Sequence, residues 1–406
     1  MKALNNADTD VIIIGAGPAG LCFARALSGI GLRIALIEQL KDEQLSTPTF
    51  DGREIAHTQY SVKLLKDLDI WNRINTHAPS ALRDAKVLNG SHPFAMTISH
   101  RLSGQSELGW LVSNYLIRKA AYESVQAANK AHQDIQLYCG EKVNAVHTDD
   151  AGAQVTLGNG IVIKGQLIVA ADSRFSETRR AMGIGADMND FGKTILVCRM
   201  THEVAHQQTA WEWFGYGQTL ALLPMNADPA THEHCSSVVV TLPHAEITPL
   251  MQMSPDTFGL EIQKRFANRL GKMTLISTRH SYPLVGVYPH RLIAKRFAVV
   301  GDAAVGMHPM TAHGFNFGLL GVDNLSNAIR AAHVQGGDIA SPHLLAQFEK
   351  THRRATRPLY LATQLISNLY TNDSTPARFL RDAALRVGEV FIPFKRAVAA
   401  SLSGTK

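Results

Sequence analysis

Short runs of apolar residues recur along the chain, and each stops at a glycine or an acidic side chain. They lie at residues 11–14, 36–38, 166–170 and 297–300. Uninterrupted apolar runs of this length are typical of strands that are buried on both faces of a parallel sheet. The pattern therefore predicts an α/β fold built around a parallel sheet.

A second group of apolar runs lies at residues 194–200, 210–214, 219–224 and 237–242. These runs are predicted to be strands of an antiparallel sheet. At 406 residues the chain is longer than one core normally supports, so we expect two domains. We predict a discontinuous first domain (1–72, 108–180 and 281–375), an inserted domain (73–107 and 181–280) and a C-terminal amphipathic helical region (376–406).

The strongest motif follows the first apolar run. Residues 15–20 read Gly-Ala-Gly-Pro-Ala-Gly, and a helical stretch then leads to a second strand that closes at Glu38. Gly15 and Gly17 let the backbone turn tightly against a pyrophosphate, and Gly20 lets the following helix pack close to the sheet. Glu38 has the spacing that suits a ribose hydroxyl, and its charge would repel the 2′-phosphate of NADPH. The motif predicts a site for the adenosine half of NAD or FAD.

A later segment favours FAD over NAD. The run at 297–300 ends in Gly301 and Asp302, and a loop of small residues leads to a helix that begins near Gly314. A carboxylate at this place suits the ribityl chain of a flavin, which NAD lacks. The start of the helix would direct its free N–H groups at the flavin pyrimidine, where negative charge gathers on reduction.

A third segment repeats the order of strand, acid and turn, with Asp172 as the acid before a basic helix start. Together the three segments resemble the signatures of the class A flavin-dependent aromatic hydroxylases over nearly the whole chain. Residues 51–71, 84–87 and 111–120 are most similar to the ubiquinone-biosynthesis hydroxylases, and among these to a broad-specificity member of some proteobacteria. The resemblance implies a Rossmann-like FAD-binding domain of the para-hydroxybenzoate hydroxylase type with an inserted antiparallel-sheet substrate domain.

The resemblance also implies a phosphate contact from Arg53 and an FAD-side contact from Arg118. The full set of predicted cofactor-binding residues is Gly15, Gly17, Ala19, Gly20, Glu38, Arg53, Arg118, Asp172, Gly301, Asp302, Pro309, Gly314 and Asn316. The chain departs from the family pattern at Ser173, Val305 and the pair at 312–313, whereas His308 and Pro309 are retained. The turn after Asp172 must therefore tolerate a side chain in place of glycine.

The activity that the resemblance implies is that of an FAD-dependent monooxygenase. A donor such as NAD(P)H reduces the flavin, O₂ gives a C4a-hydroperoxyflavin, and the ring of a polyprenyl phenol is hydroxylated in ubiquinone biosynthesis. Two alternatives stay open: an FAD-dependent reductase of isoprenoid double bonds, and a flavin-binding factor that assembles a quinone-synthesis complex without turnover. No catalytic residue is identified, because His308 and His313 can equally be satisfied by backbone groups.

Composition narrows the class of partner. The net charge is +6, without a basic stripe interleaved with aromatic residues, so nucleic acid is not expected as a partner. The cysteines at 22, 139, 198 and 235 lack paired spacing, which predicts reduced thiols in a cytoplasmic protein. We expect neither a signal peptide nor a membrane-spanning helix.

The basic, amphipathic segment 376–406 has two interpretations. It could lie peripherally on an anionic inner membrane and collect a lipid-soluble quinone precursor. It could instead pack against the FAD domain or a neighbouring subunit, since any surface helix has this periodicity. In either case Pro393 is expected to interrupt it.

One motif points to different chemistry. Residues 202–206 read His-Glu-Val-Ala-His, which matches the zinc-protease pattern. That pattern needs a helix, and here the pentapeptide lies between two predicted strands with too little room for one. We interpret it as a polar hairpin connection and predict no metal site.

Overall fold

The structure of the protein is a computed structural model that describes residues 7–90, 94–215, 217–307, 313–371 and 375–404. The strands, in chain order, are β1 (Ala7–Asp8), β2 (Val11–Ile14), β3 (Ile34–Glu38), β4 (Glu54–His57), β5 (Ser80–Leu82), β6 (Asp84–Asn89), β7 (Ala95–Ser99), β8 (Gly109–Ser113), β9 (Ile135–Cys139), β10 (Val143–Thr148), β11 (Ala153–Leu157), β12 (Val162–Gly165), β13 (Leu167–Ala170), β14 (Ala186–His202), β15 (Thr209–Phe214), β16 (Thr219–Met225), β17 (His234–Pro243), β18 (Met273–Leu275), β19 (His280–Pro289), β20 (Ile293–Ala294) and β21 (Phe297–Val299).

The helices are α1 (Pro18–Leu27), α2 (Asp42–Ser46), α3 (Gln59–Asp67), α4 (Asn114–His132), α5 (Glu177–Ala181), α6 (His244–Gln252), α7 (Pro255–Arg265), α8 (Gly314–Val334), α9 (Pro342–Thr371), α10 (Thr375–Val390) and α11 (Ile392–Ser403). Short 3₁₀ turns occupy Trp71–Arg73, His100–Leu102 and Gly301–Ala303. None of the helices in the described ranges is long and apolar enough to cross a membrane.

The first apolar runs form one sheet with the order β20-β21-β13-β2-β3-β9. All its pairs are parallel except β20 with β21. The side chains of β13 and β21 are fully buried, as continuous apolar runs require of a sheet covered on both faces. The predicted fold class is confirmed.

The second group of runs forms an eight-stranded sheet with the order β18-β14-β17-β16-β15-β6-β7, in which β19 also pairs with β14. Its pairs are antiparallel except β15 with β6. The parallel pair is possible because β6 enters from an earlier part of the chain and not through a hairpin. The domain division stays a prediction; its boundary at 280/281 falls at the start of β19, a strand of this second sheet.

Alternation along the strands gives the eight-stranded sheet two different faces. One face carries Trp213, Leu220 and Leu222, which pack with Phe258 and Phe266 of the α6–α7 region. We call the opposite face the inner face. At one end, Ala85, Val87 and Ala210 of the inner face pack on the C-terminal helices α10 and α11.

The C-terminal helices pack on the edge of the same sheet. The backbone N–H of Thr97 in β7 donates to Glu389 Oε2 of α10 at 2.8 Å, and Gly388 lies against Met96. The predicted interruption is present, because α10 ends at Val390 and a new helix begins at Ile392, with Pro393 in its first turn. One face of this region is thus held by the protein itself.

A buried ion pair joins the inner face to the small sheet of β4, β8 and β5. Arg199 of β14 donates to Glu54 Oε1 of β4 from Nε at 2.9 Å and from Nη2 at 2.6 Å, and Nη2 also contacts Ser113 Oγ of β8. The Glu54 side chain is 0% exposed, and its Oε2 has no hydrogen-bond partner. Burial raises the pKa of Glu54, and the Arg199 charge and hydrogen bond oppose that rise.

The substitution Arg199→Met should destabilise the protein by about 3–5 kcal/mol at neutral pH, because it leaves an unpaired buried carboxylate. Without the Arg199 charge the pKa of Glu54 rises further, so Glu54 stays protonated to higher pH. The difference from wild type should be smallest at acid pH and should grow as the pH rises through the range in which Glu54 ionises. Denaturant unfolding at several pH values measures this.

The double variant Glu54→Gln/Arg199→Met should recover most of the lost stability at neutral pH, since no charge is then buried. Additive losses in the double variant, or a pH-independent loss in the single one, would contradict the assignment of this pair.

Candidate active site

The predicted cofactor segments meet at the carboxyl ends of the parallel strands. Gly15 follows β2, Asp172 follows β13 and Gly301 follows β21. A Cβ on Gly15 would lie 2.8 Å from the Cα of Asp172, and a Cβ on Gly301 would lie 2.7 Å from the Cβ of Ala19. Carboxyl ends of parallel strands share one edge of a sheet, which is where open α/β sheets bind ligands. Segments far apart in sequence are therefore in direct contact here.

The glycines of the turn have different roles. Gly15 has φ +102°, and a Cβ on Gly20 would overlap the carbonyl oxygen of Gly15. Both residues allow α1 to start directly against β2. At Gly17 a Cβ would meet nothing within 4 Å among the residues with described positions, and this N-cap of α1 has no side-chain hydrogen bond. Open space therefore lies over a free helix N-terminus, as a pyrophosphate site requires.

Glu38 is fixed at the end of β3 by two backbone amides. Ala16 N donates to its Oε2 at 2.7 Å, and Leu40 N donates to its Oε1 at 2.9 Å. Each carboxylate oxygen keeps a second lone pair for another donor, such as a ribose hydroxyl. The carboxylate is thus oriented by the same turn that carries the glycines.

The two aspartates lie in different environments. Asp172 Oδ2 accepts from Ser176 Oγ at 2.8 Å, whereas Oδ1 is buried without a hydrogen-bond partner. Ser173 lacks a positive φ, which explains how the turn tolerates a side chain. The Asp302 side chain is 47% exposed and pairs with Arg174 Nη2 at 3.3 Å. No role for Arg174 is predicted from the sequence. Its position two residues after Asp172 is the one signal that places it near the site.

Neither predicted arginine is hydrogen-bonded or ion-paired to the glycine turn in the described residues. Arg53 precedes β4, is half exposed, pairs with Asp51 Oδ2 at 2.6 Å and lies over the ring of Tyr282. Arg118 is half-buried in α4, and among the described residues it forms no hydrogen bond or ion pair. Its guanidinium therefore has all its donors available for a ligand.

The start of α8 combines an open backbone with an engaged side chain. A Cβ on Gly314 would meet no atom of the described residues within 4 Å, and Gly318 packs against the Cα of Gly301. Asn316 Nδ2 donates to Ala56 O at 2.8 Å, and its Oδ1 accepts from Thr58 N at 3.2 Å. The Asn316 side chain thus holds α8 to the β4–α3 connection.

Two residues named from the motif, His308 and Pro309, lie outside the described residues. His313 is buried, and its Nε2 is 3.1 Å from Ser401 Oγ of α11. It therefore links the start of α8 to the C-terminal helix.

The His-Glu-Val-Ala-His segment is interpreted as a hairpin connection, but its first residue belongs to a strand. His202 is the last residue of β14, buried and paired with His234, because β14 continues beyond the apolar run. Its ring nitrogens contact Val204 O and Ser236 Oγ, and those of His206 contact Met225 O and Gln208 N. Within the described ranges no group of three or more His, Cys, Asp and Glu side chains could hold a metal ion.

The fold is shared with solved flavoenzymes. The p-nitrophenol 4-monooxygenase PnpA of Pseudomonas putida superposes with a TM-score of 0.74 at 15% identity, covering 98% of this chain and 100% of that one. HpxO of Klebsiella pneumoniae, solved with FAD and uric acid, gives 0.72 at 19% identity and covers 99% of each chain. These likenesses show that the chain has the fold of these enzymes.

The sequence comparisons assign the family. Residues 8–360 match the family model for the FAD binding domain. The ubiquinone hydroxylase UbiM of Neisseria meningitidis is 41% identical over 98% of this chain and 85% of that protein. The ubiquinone hydroxylase UbiL of Rhodospirillum rubrum is 30% identical over 98% and 90%. The chain belongs to the FAD-dependent ubiquinone hydroxylase family, and its cofactor is FAD.

The structure fits this cofactor. Within the part of the chain that the structure describes, the space over Gly17 and the unpartnered Asp172 Oδ1 are features that a bound dinucleotide would fill. They lie at the carboxyl ends of the parallel strands, where open α/β sheets bind ligands. The sequence-based prediction of FAD is confirmed.

The series Gly17→Ala and Gly17→Val should progressively weaken FAD binding, by about tenfold or more for valine, because each larger side chain occupies the open space. The melting temperature of the FAD-free protein should stay unchanged, since the space is empty of protein atoms. Flavin fluorescence titration and thermal melts measure the two effects.

The contrasting variant is Gly20→Ala. Its methyl group overlaps the Gly15 carbonyl, so it should destabilise the FAD-free protein by about 1–3 kcal/mol. If Gly17→Val melted as early as Gly20→Ala, the distinction between a ligand space and a packing contact would be wrong.

Proposed function

We propose that this protein hydroxylates the aromatic ring of a polyprenyl phenol, or of a related quinone precursor, in ubiquinone biosynthesis. The observation that carries the proposal is the 41% identity to a ubiquinone hydroxylase over 98% of the chain. The dinucleotide features at the strand ends support it. O₂ and a reduced donor such as NAD(P)H are the proposed co-substrates.

The proposed cofactor contacts follow from the site. The α1 start with Gly15, Gly17, Ala19 and Gly20 would hold the pyrophosphate, and Glu38 would hold the ribose. Charged and backbone groups of the other predicted residues would hold the remaining parts of FAD. These residues are Arg53, Arg118, Asp172, Gly301, Asp302, Pro309, Gly314 and Asn316. When bound, FAD takes electrons from the donor and activates O₂, while the protein orients the substrate and excludes water.

The substrate side of the site is proposed to be the inner face of the eight-stranded sheet. Val197 on this face packs against Gly52, and Tyr282 donates to Asp51 O at 2.7 Å. The residues before β4, including Arg53, therefore lie against this face. Trp213 and Leu222 belong to the opposite face, so they pack in the α6–α7 core and do not line the site.

Phenols with a polyprenyl tail should be hydroxylated at least tenfold more efficiently than the same head groups without a tail. Each buried CH₂ contributes roughly 0.8 kcal/mol, so even one isoprene unit exceeds this ratio in principle. Incorporation of ¹⁸O from ¹⁸O₂ into a short-chain polyprenyl phenol and its tail-less analogue measures it.

The alternatives give different outcomes in the same assay. Equal efficiency on both phenols would favour a hydroxylase of soluble aromatic compounds. Reduction of an isoprenoid double bond without ¹⁸O uptake would favour the reductase, and bound FAD without turnover would favour the assembly factor.

We further propose that the junction of α10 and α11 docks on an anionic lipid surface. Several of its apolar side chains are exposed, with Val390 80% and Phe391 56% exposed, together with Val387, Ile392 and Phe394. Arg396 is exposed beside them, and so is Arg386, which pairs with Asp382 Oδ2 at 2.8 Å. Exposed apolar residues beside cations are the features that bind an amphipathic segment to an anionic bilayer.

The double variant Val390→Asp/Phe391→Asp should no longer cosediment with vesicles that contain about 30% anionic lipid, because two negative charges replace apolar contacts. The matched control is Val334→Asp, which changes an apolar residue of α8 that is 83% exposed. Binding of wild type to purely zwitterionic vesicles with equal strength, or equal losses in both variants, would contradict the proposal.

A further inference from the structure

One acidic side chain in the middle of the large sheet has no partner. Glu212 of β15 pairs across the sheet with Ala221 of β16 and Val87 of β6. Among the residues that the structure describes, its carboxyl forms no hydrogen bond and no ion pair, and the residue is half-buried. It was not singled out from the sequence, where it reads as the polar position of an alternating strand.

The sheet register places Glu212 on the inner face. Its neighbours Trp211 and Trp213 belong to the α6–α7 core, so Glu212 points the other way. The row that runs from it across the inner face consists of Ala221, Val239 and Val197. Val197 lies against Gly52, one residue before Arg53. The carboxyl thus shares an apolar face with the proposed substrate side.

A carboxyl that has no hydrogen-bond or ion-pair partner on an apolar face lowers the stability of the folded protein. Burial raises the pKa of Glu212 to about 8, with no charged group acting on it. A valine or leucine would fill this strand position without that penalty. Costly polar groups without a structural partner are typical of functional sites, where the ligand supplies the missing partner.

Resting on the proposed function, we propose that Glu212 is the catalytic residue that binds the phenolic hydroxyl of the substrate and accepts its proton. A carboxylate of ordinary pKa is a weak base toward a phenol, whose pKa is about 10. A desolvated carboxylate has a higher proton affinity and is better matched to this task.

Hydroxylation of the phenol begins with proton transfer to Glu212. The phenolic O–H bond breaks, its proton goes to Glu212, and the electron pair moves into the ring. The ring carbon next to the phenolic carbon then forms a C–O bond to one oxygen atom of O₂. The other oxygen atom leaves as water, formed with the two electrons and one proton of the NAD(P)H hydride and one proton from solvent. The ring carbon then loses its proton, which restores aromaticity, and this proton passes to the newly bound oxygen to complete the second hydroxyl. Glu212 returns its proton to the phenolic oxygen.

The test uses the FAD-loaded protein and a short-chain polyprenyl phenol. Glu212→Gln should lower kcat by about 100-fold or more, the usual contribution of a general base. FAD content and melting temperature should be unchanged, because the carboxyl has no protein partner to lose. The matched control is Glu246→Gln, the same substitution on exposed α6 of the same region, which should keep full activity.

A second arm uses the methyl ether of the same substrate, which has no proton to give. Wild type should be slow on the ether, and Glu212→Gln should no longer distinguish phenol from ether. An ultraviolet difference spectrum that reports ionisation of the bound phenol should appear with wild type and be lost in the variant.

The outcomes separate this inference from the proposed function. If wild type incorporates no ¹⁸O into the phenol, the proposed function fails. If wild type is active and Glu212→Gln keeps kcat within about twofold, or keeps the phenol-ionisation spectrum, the role of Glu212 is overturned. A fall in melting temperature of Glu212→Leu would show that the carboxyl has a structural role instead, since its removal should raise stability.

Discussion

The architecture depends on a close approach between backbone atoms at the start of α1. A side chain on Gly20 would overlap the Gly15 carbonyl, and a side chain on Gly15 would reach Ala171 O at 2.7 Å. Only glycine lets the helix, the first strand and the end of β13 meet so tightly. That contact sets the edge of the parallel sheet, and with it the positions of Glu38, Asp172 and Gly301. The open space over Gly17 is what remains for a ligand once these parts are packed.

A second constraint connects the small sheet of β4, β8 and β5 to the large sheet. The buried pair of Arg199 and Glu54 fixes β14 to β4, and Tyr282 and Val197 hold the residues before β4 against the inner face. Ion pairs of this kind add little net stability compared with apolar packing, yet they penalise any arrangement in which one partner is left alone. The pair therefore defines how the two sheets face each other, and the proposed substrate side lies between them.

Several residues have roles that differ from their apparent importance in the sequence. Asn316 lies in a motif associated with the flavin, yet its side-chain amide bonds to Ala56 and Thr58. His202 looks like half of a metal motif, yet its nitrogens are engaged within the sheet. Glu212 lacks any motif and is an isolated polar group on an apolar face.

The sequence by itself determined the parallel sheet, the glycine turn, the acids at the strand ends and the FAD cofactor. These features depend on local properties: apolar runs, backbone conformations open to glycine, and fixed spacing along one strand–helix–strand unit. Only the tertiary structure decided that Asp302 pairs with Arg174, that Glu54 pairs with Arg199 and that Glu212 shares a face with Val197. Those relations join residues up to 145 positions apart, and the residues meet only once distant strands have paired or packed.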